Sequence, residues 1–234
     1  MRIGVLAAVF CGIAASAAAQ DRGGCDSAEL VVVVGPVSIV SASGARVAAE
    51  AGTALCPGDR VVTGAAGEAE EPLPASLEPA LATIWFEGAR KLVRVGDATE
   101  VAIPMAPDRE ASLLLEDGLV YVISAVRRAF EVIAGPAEPG GPLVTAGIDG
   151  TEATVHRVRG AGAVVAVREG TVRVDGARAA EALRLAGGET AWADEGSAPR
   201  RARAGDAAAL PPPFRRYVVR AKGAADWALR FPPG

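Results

Sequence analysis

The sequence predicts an all-β fold, a sandwich, barrel or short solenoid of many short strands. Three observations predict it. Apolar runs of about four to eight residues recur along the chain, and turn signals such as Gly-Pro, Gly-Asp, Glu-Gly and Asp-Gly separate them at intervals of about eight to twelve residues. Several runs alternate charge with Val, Leu or Ile, the period of a half-buried strand. Residues 145–155, Thr-Ala-Gly-Ile-Asp-Gly-Thr-Glu-Ala-Thr-Val, place strand formers on both sides of Asp149-Gly150, which reads as a turn or bulge. No nucleophile, base or metal-ligand cluster stands near that run.

The elements follow in order. Residues 30–34 are apolar and stop at Gly35-Pro36; residues 37–40 resume as a short strand. Gly58-Asp59 turns the chain into a strand over 60–63. Residues 65–80 mix Glu68, Glu70, Glu71 and Glu78 with Pro72, Pro74 and Pro79, the composition of an exposed insertion. Strands are expected over 81–86, 91–95, 100–103, 111–115 and 119–123, the last two as a hairpin around Glu116-Asp117-Gly118. Further strands are expected over 130–133, 143–146, 153–158, 163–167 and 171–174, with a break at Glu169-Gly170, and weaker ones over 183–185 and 189–193. Residues 42–54 and 177–185 are alanine-rich and short, and admit a helix. Beyond Gly196, arginines gather around Pro211-Pro212-Pro213, the composition of an exposed linker. The final segment admits a minor C-terminal helix before Pro232-Pro233 stops it.

The chain opens like an export signal. Arg2 supplies a positive start, an uncharged apolar stretch follows, and Ala17-Ala18-Ala19 fits a small-residue cleavage site. Residues 1–19 are therefore expected to be a cleaved signal peptide, residues 20–196 a β-domain, and residues 197–234 a Pro/Arg-rich linker with a short end segment. The mature protein is expected in the periplasm, touching a membrane only through the signal before cleavage. In an oxidising compartment Cys25 and Cys56 read as a disulfide, the alternative being two small buried thiols. Neither has a CxxC neighbour, so zinc or redox chemistry is not expected. A formal net charge of −4 argues against nucleic acid as a partner.

Set in order, the motifs resemble a known family. They are Gly35-Pro36-Val37, Gly58-Asp59-Arg60-Val61 with Thr63-Gly64, Trp85-Phe86-Glu87-Gly88, Leu115-Glu116-Asp117-Gly118, Gly147-Ile148-Asp149-Gly150-Thr151-Glu152 and Glu169-Gly170-Thr171-Val172. Over residues 31–174 this succession resembles the FecR-type periplasmic domain. The chain departs from the family's pattern at Glu87, where an Asp is usual, at Ala153, where a Phe is usual, and in the 65–80 insertion. The resemblance implies a FecR-type β-sandwich or short β-solenoid in which Gly58, Asp59, Gly118, Asp149, Gly150, Thr151, Glu152 and Gly170 are structural positions. Residues 226–233 resemble the linker that joins such a domain to tetratricopeptide repeats in a signal-peptide-bearing subset. Family members with a cytoplasmic segment regulate sigma factors and sense an outer-membrane receptor. For this chain the resemblance implies the periplasmic half of that work: recognition of another envelope protein.

Catalytic alternatives are poorly supplied. His156 is the single histidine and lies on an expected strand, without a Gly-x-Ser-x-Gly elbow anywhere. Asp149 with Glu152, or Glu116 with Asp117, offers a carboxylate pair for glycoside hydrolysis, but turn carboxylates ordinarily bond their own backbone. Residues 135–141 carry Pro136 and Pro139, which remove the amide donors a phosphate loop needs. The expectation is a non-enzymatic protein-binding or scaffold module with no catalytic residue, cofactor or metal. Trp227, Leu229 and Phe231 are the candidate partner contacts, the alternative being that they dock back onto the protein's own β-domain. The alternative is an envelope protein that binds or cleaves glycans through its turn carboxylates.

Overall fold

The computed structural model describes residue 25 and residues 28–64, 81–105, 112–124, 129–135, 143–176, 179 and 181–202. Within them the chain is all-β. The strands are β1 (Ala28–Val34), β2 (Val37–Val40), β3 (Arg46–Ala48), β4 (Thr53–Leu55), β5 (Arg60–Thr63), β6 (Leu81–Phe86), β7 (Lys91–Val95) and β8 (Thr99–Ala102). They continue as β9 (Ser112–Ser124), β10 (Phe130–Ala134), β11 (Val144–Val158), β12 (Gly162–Asp175), β13 (Leu183–Ala186), β14 (Thr190–Ala193) and β15 (Arg200–Arg201). All belong to one continuous hydrogen-bonded sheet.

The long strands β9, β11 and β12 organise that sheet, because each changes partners midway. The first half of β9 pairs β8 and, in parallel, β10; its second half pairs β7 and β11. The first part of β11 pairs β10 and the later part pairs β9. In β12 the early residues pair β14 and the late ones pair β13. One set of pairings therefore builds β14-β12-β11-β9-β7-β6-β1-β4, and the other builds β13-β12-β11-β10-β9-β8-β5-β2-β3. The two halves close on one core that draws Leu30, Ile84 and Phe86 from the first and Ile39, Val61 and Phe130 from the second. Phe86 meets Phe130 edge-on at 4.9 Å although β6 and β10 are not neighbours in the sheet, which shows the two faces in contact.

Each long strand changes its inward parity where it changes partners. Leu113 and Leu115 face the core, then Val120 and Val122; Ala146 and Ile148 do, then Ala153 and Val155; Val165 and Val167 do, then Val172 and Val174. A strand of strict period two cannot do this. Extra residues in the ladder can, and register shifts lie between Asp149 and Glu152 and between Glu100 and Val101, the latter opposite β9.

Several expectations are corrected here. Glu116-Asp117-Gly118 is not a hairpin turn: β9 runs through it, and Asp117 pairs Glu100 while Gly118 pairs Arg157. Asp149-Gly150 and Glu169-Gly170 likewise lie inside β11 and β12 as bends. The alanine-rich residues 42–54 form β3 and β4, and part of the second alanine-rich run forms β13, because pairing with β1, β2 and β12 supplies what short helices would lack. Arg200 and Arg201, expected in a linker, form β15 against β14. The expected signal peptide, the 65–80 insertion and the C-terminal helix lie outside the described residues.

Candidate functional site

The motif residues are brought together as fold joints. Gly118 has φ +93°, and a Cβ there would sit 2.6 Å from Thr99 Cα. Thr99 accepts the Leu119 N–H at 2.9 Å through its hydroxyl, and its own N–H reaches Thr63 Oγ1 at 3.0 Å. Thr63 in turn donates to Gly96 O at 2.5 Å. Gly170 repeats the arrangement with φ +84°: a Cβ would meet Thr151 Oγ1 at 2.7 Å and Gly150 O at 3.0 Å. Thr151 Oγ1 lies 2.8 Å from Asp149 O and 2.9 Å from Thr171 O, and accepts the Thr171 N–H. Buried Thr63, Thr99 and Thr151 thus satisfy backbone groups that the bends remove from the ladder.

The Gly58-Asp59 turn is a separate joint. Asp59 is buried and its Oδ2 accepts the Cys56 N–H at 3.0 Å, while Gly58 N–H reaches Ile103 O at 2.8 Å. Cys56 is bonded to Cys25, with a Cα–Cα distance of 4.8 Å, so the turn also anchors the start of the described chain. Asp117 Oδ1 accepts the Arg159 N–H at 3.1 Å. Asp149 is exposed. Its negative charge partly offsets the effect of burial on Lys91, whose ammonium is held below the usual lysine range chiefly because it is desolvated. Lys91 is fully buried and donates to the Ser124 hydroxyl.

Glu152 stands apart from the other motif residues, on the outer face. Its Oε2 accepts a 2.5 Å bond from the Tyr121 hydroxyl and a 3.0 Å contact from Arg168, whose Nη1 also donates to Tyr121 at 3.1 Å. Burial, then the bond to Glu152, pushes the Tyr121 phenol up to about 12. This trio ends an outward-facing row that crosses the sheet. By register the row runs Ala54, Glu29, Trp85, Leu92, Ile123, Glu152 over β4, β1, β6, β7, β9 and β11. Trp85, Leu92 and Ile123 are half-buried, so an aromatic and aliphatic strip lies between polar ends. Sequence reasoning did not single out this row. The available signal was alternation: Trp85 and Leu92 occupy the outward parity of their strands.

His156 is buried in β11 opposite Leu119 and Val164, on the face where Trp192 packs. Arg200 stacks over Trp192 at 3.8 Å, and Arg201 pairs with Glu189 at 2.8 Å. Trp227, Leu229 and Phe231, the candidate partner contacts, lie outside the described residues. Among the described residues no group of three or more His, Cys, Asp or Glu is placed to hold a metal ion.

No protein-family model matches the chain, and no curated protein matches it. Two solved structures of a candidate anti-sigma factor from Parabacteroides distasonis ATCC 8503 are similar to part of it. One has 16% identity and a TM-score of 0.37, covering 49% of this chain and 52% of its own. The other has 15% identity and a TM-score of 0.41, covering 62% of this chain and 59% of its own. This chain thus spans between half and three fifths of the structures it matches, and at these TM-scores the likeness carries no argument about function.

Proposed function

We propose that this protein is a non-enzymatic periplasmic binding or scaffold module of FecR type, which recognises another envelope protein across the outer face of its sheet. The observation that carries the reading is the row Glu29, Trp85, Leu92, Ile123, Glu152, an apolar strip with polar ends set on strands rather than on loops. Rigid strands give such a strip a fixed shape, which suits a protein surface. The motif polar groups support it from the other side. Asp59, Thr63, Thr99, Asp117 and Thr151 each hydrogen-bond the backbone, the role of a fold joint. The Cys25–Cys56 bond supports an oxidising compartment.

The test is crosslinking in the periplasm from a photoreactive residue at position 92, followed by pull-down. Capture of one envelope protein is expected, and Leu92→Asp, at a half-buried outward site, should weaken that capture about tenfold or more with unchanged circular dichroism. Hydrolysis of peptidoglycan or an envelope polysaccharide by the purified protein, abolished in Asp149→Asn, would replace this reading with the glycan-cleaving one.

A further inference from the structure

At one end of the outer row lies a depression of about 210 Å³, lined among the described residues by Cys25, Ala28, Glu29, Ala54, Trp85 and Glu87. We infer that it binds a guanidinium or alkylammonium group, the size and charge of an arginine or lysine head. The register makes the hollow: Glu29 stands opposite Ala54 on one side and Trp85 on the other, and the small alanine leaves space beside the large indole. The Trp85 indole N–H donates to Glu87 Oε2 at 2.8 Å, which fixes one carboxylate at the ring's edge and restricts the ring. Cys25, one of the lining residues, is held by its bond to Cys56.

Charge selects the ligand. Elsewhere on the described surface Glu100, Glu152, Asp175, Glu189 and Glu195 each lie within 4 Å of an arginine. Glu29 and Glu87, like Glu50, Glu131 and Asp149 among the described residues, have no such partner, and they share a wall with an aromatic ring. A cation entering the hollow meets two carboxylates and an indole, the combination that recognises ammonium and guanidinium groups. An anion meets like charge on the described walls. The volume falls below the range usual for drug-sized ligands, about 300–1,000 Å³, and suits a single side chain. The site stands on this geometry and does not depend on the scaffold role.

The experiment uses the full mature chain with its disulfide intact, isotope-labelled so that the Trp85 indole N–H resonance can be followed. The probes are N-acetyl-arginine amide, N-acetyl-lysine amide, tetramethylammonium, and N-acetyl-glutamine amide with a neutral disaccharide as uncharged counterparts. Saturable, salt-weakened shifts are expected at millimolar concentrations of the cationic probes, and none with the uncharged ones. Tetramethylammonium, which cannot donate hydrogen bonds, separates ring attraction from carboxylate bonding: weaker binding than the arginine probe is expected. Glu29→Gln with Glu87→Gln, which keeps the ring and the cavity shape, should weaken binding on the order of tenfold or more. Absence of a saturable shift from any cationic probe, an equal shift from the glutamine probe or the disaccharide, or unchanged affinity in the double variant would overturn the assignment.

Discussion

Gly118 shows at the scale of one residue why glycine was chosen. Its φ of +93° alone costs an L-residue about 1–2 kcal/mol, and the backbone of Thr99 also occupies the space a Cβ would need. Gly44 has φ +87° but nothing within 4 Å of its would-be Cβ. Gly118→Ala is therefore expected to destabilise by about 3 kcal/mol or more, and Gly44→Ala by about 1 kcal/mol, in urea unfolding. Comparing them separates the steric cost from the conformational one. Tyr121 gives a second residue-scale expectation. Its folded-state pKa is raised above the unfolded value, so the stability it contributes is complete below pH 10 and lost as the pH climbs through about 12. The part of the phenolate absorbance that is lost in Tyr121→Phe should titrate near 12 in the native protein, and that substitution should remove the Tyr121 share of the fall in stability over that window. That variant keeps the Glu152–Arg168 pair and should cost about 1 kcal/mol at neutral pH.

Element boundaries were legible in the sequence where a strand is short and its period unbroken. Residues 37–40, 60–63, 81–86 and 91–95 are observed as expected, since alternation and flanking turn residues are local signals. Each of the three longest strands was legible only as two separate strands with a turn between them. Asp117-Gly118, Asp149-Gly150 and Glu169-Gly170 carry the same residues a hairpin turn uses, because a bulge and a turn both need a positive φ. Which one forms depends on whether the flanking segments pair with each other or with different neighbours. Strands β3, β4 and β15 were missed because their residues have weak intrinsic preference and gain order only by pairing. For β15 the packing is testable. Arg200→Ala should remove the stacking over Trp192, cost about 0.5–1 kcal/mol and redden the Trp192 emission as water gains access.

Across the described residues the chain is one sheet folded over one main core, tied at Cys25 by a covalent bond. Cys25 and Cys56 are separated by 31 residues, a loop whose closure in the unfolded chain is worth about 3–4 kcal/mol in the chain-entropy account. Replacing both cysteines by serine should lower the unfolding free energy by about that amount. It should also loosen the wall of the Glu29–Trp85–Glu87 hollow, so binding of the arginine probe should weaken alongside stability.

Composition and period alone determined that this chain is all-β and where most strands lie. These are local consequences of side-chain alternation and dihedral freedom. Only the tertiary structure decided that three glycine steps are corners at which a strand passes from one set of partners to another. Only it set Glu29, Trp85, Leu92, Ile123 and Glu152 in one row, though they are far apart in sequence. Register between distant strands fixes both, and it is settled by the collective burial of the core, which no local stretch of sequence contains.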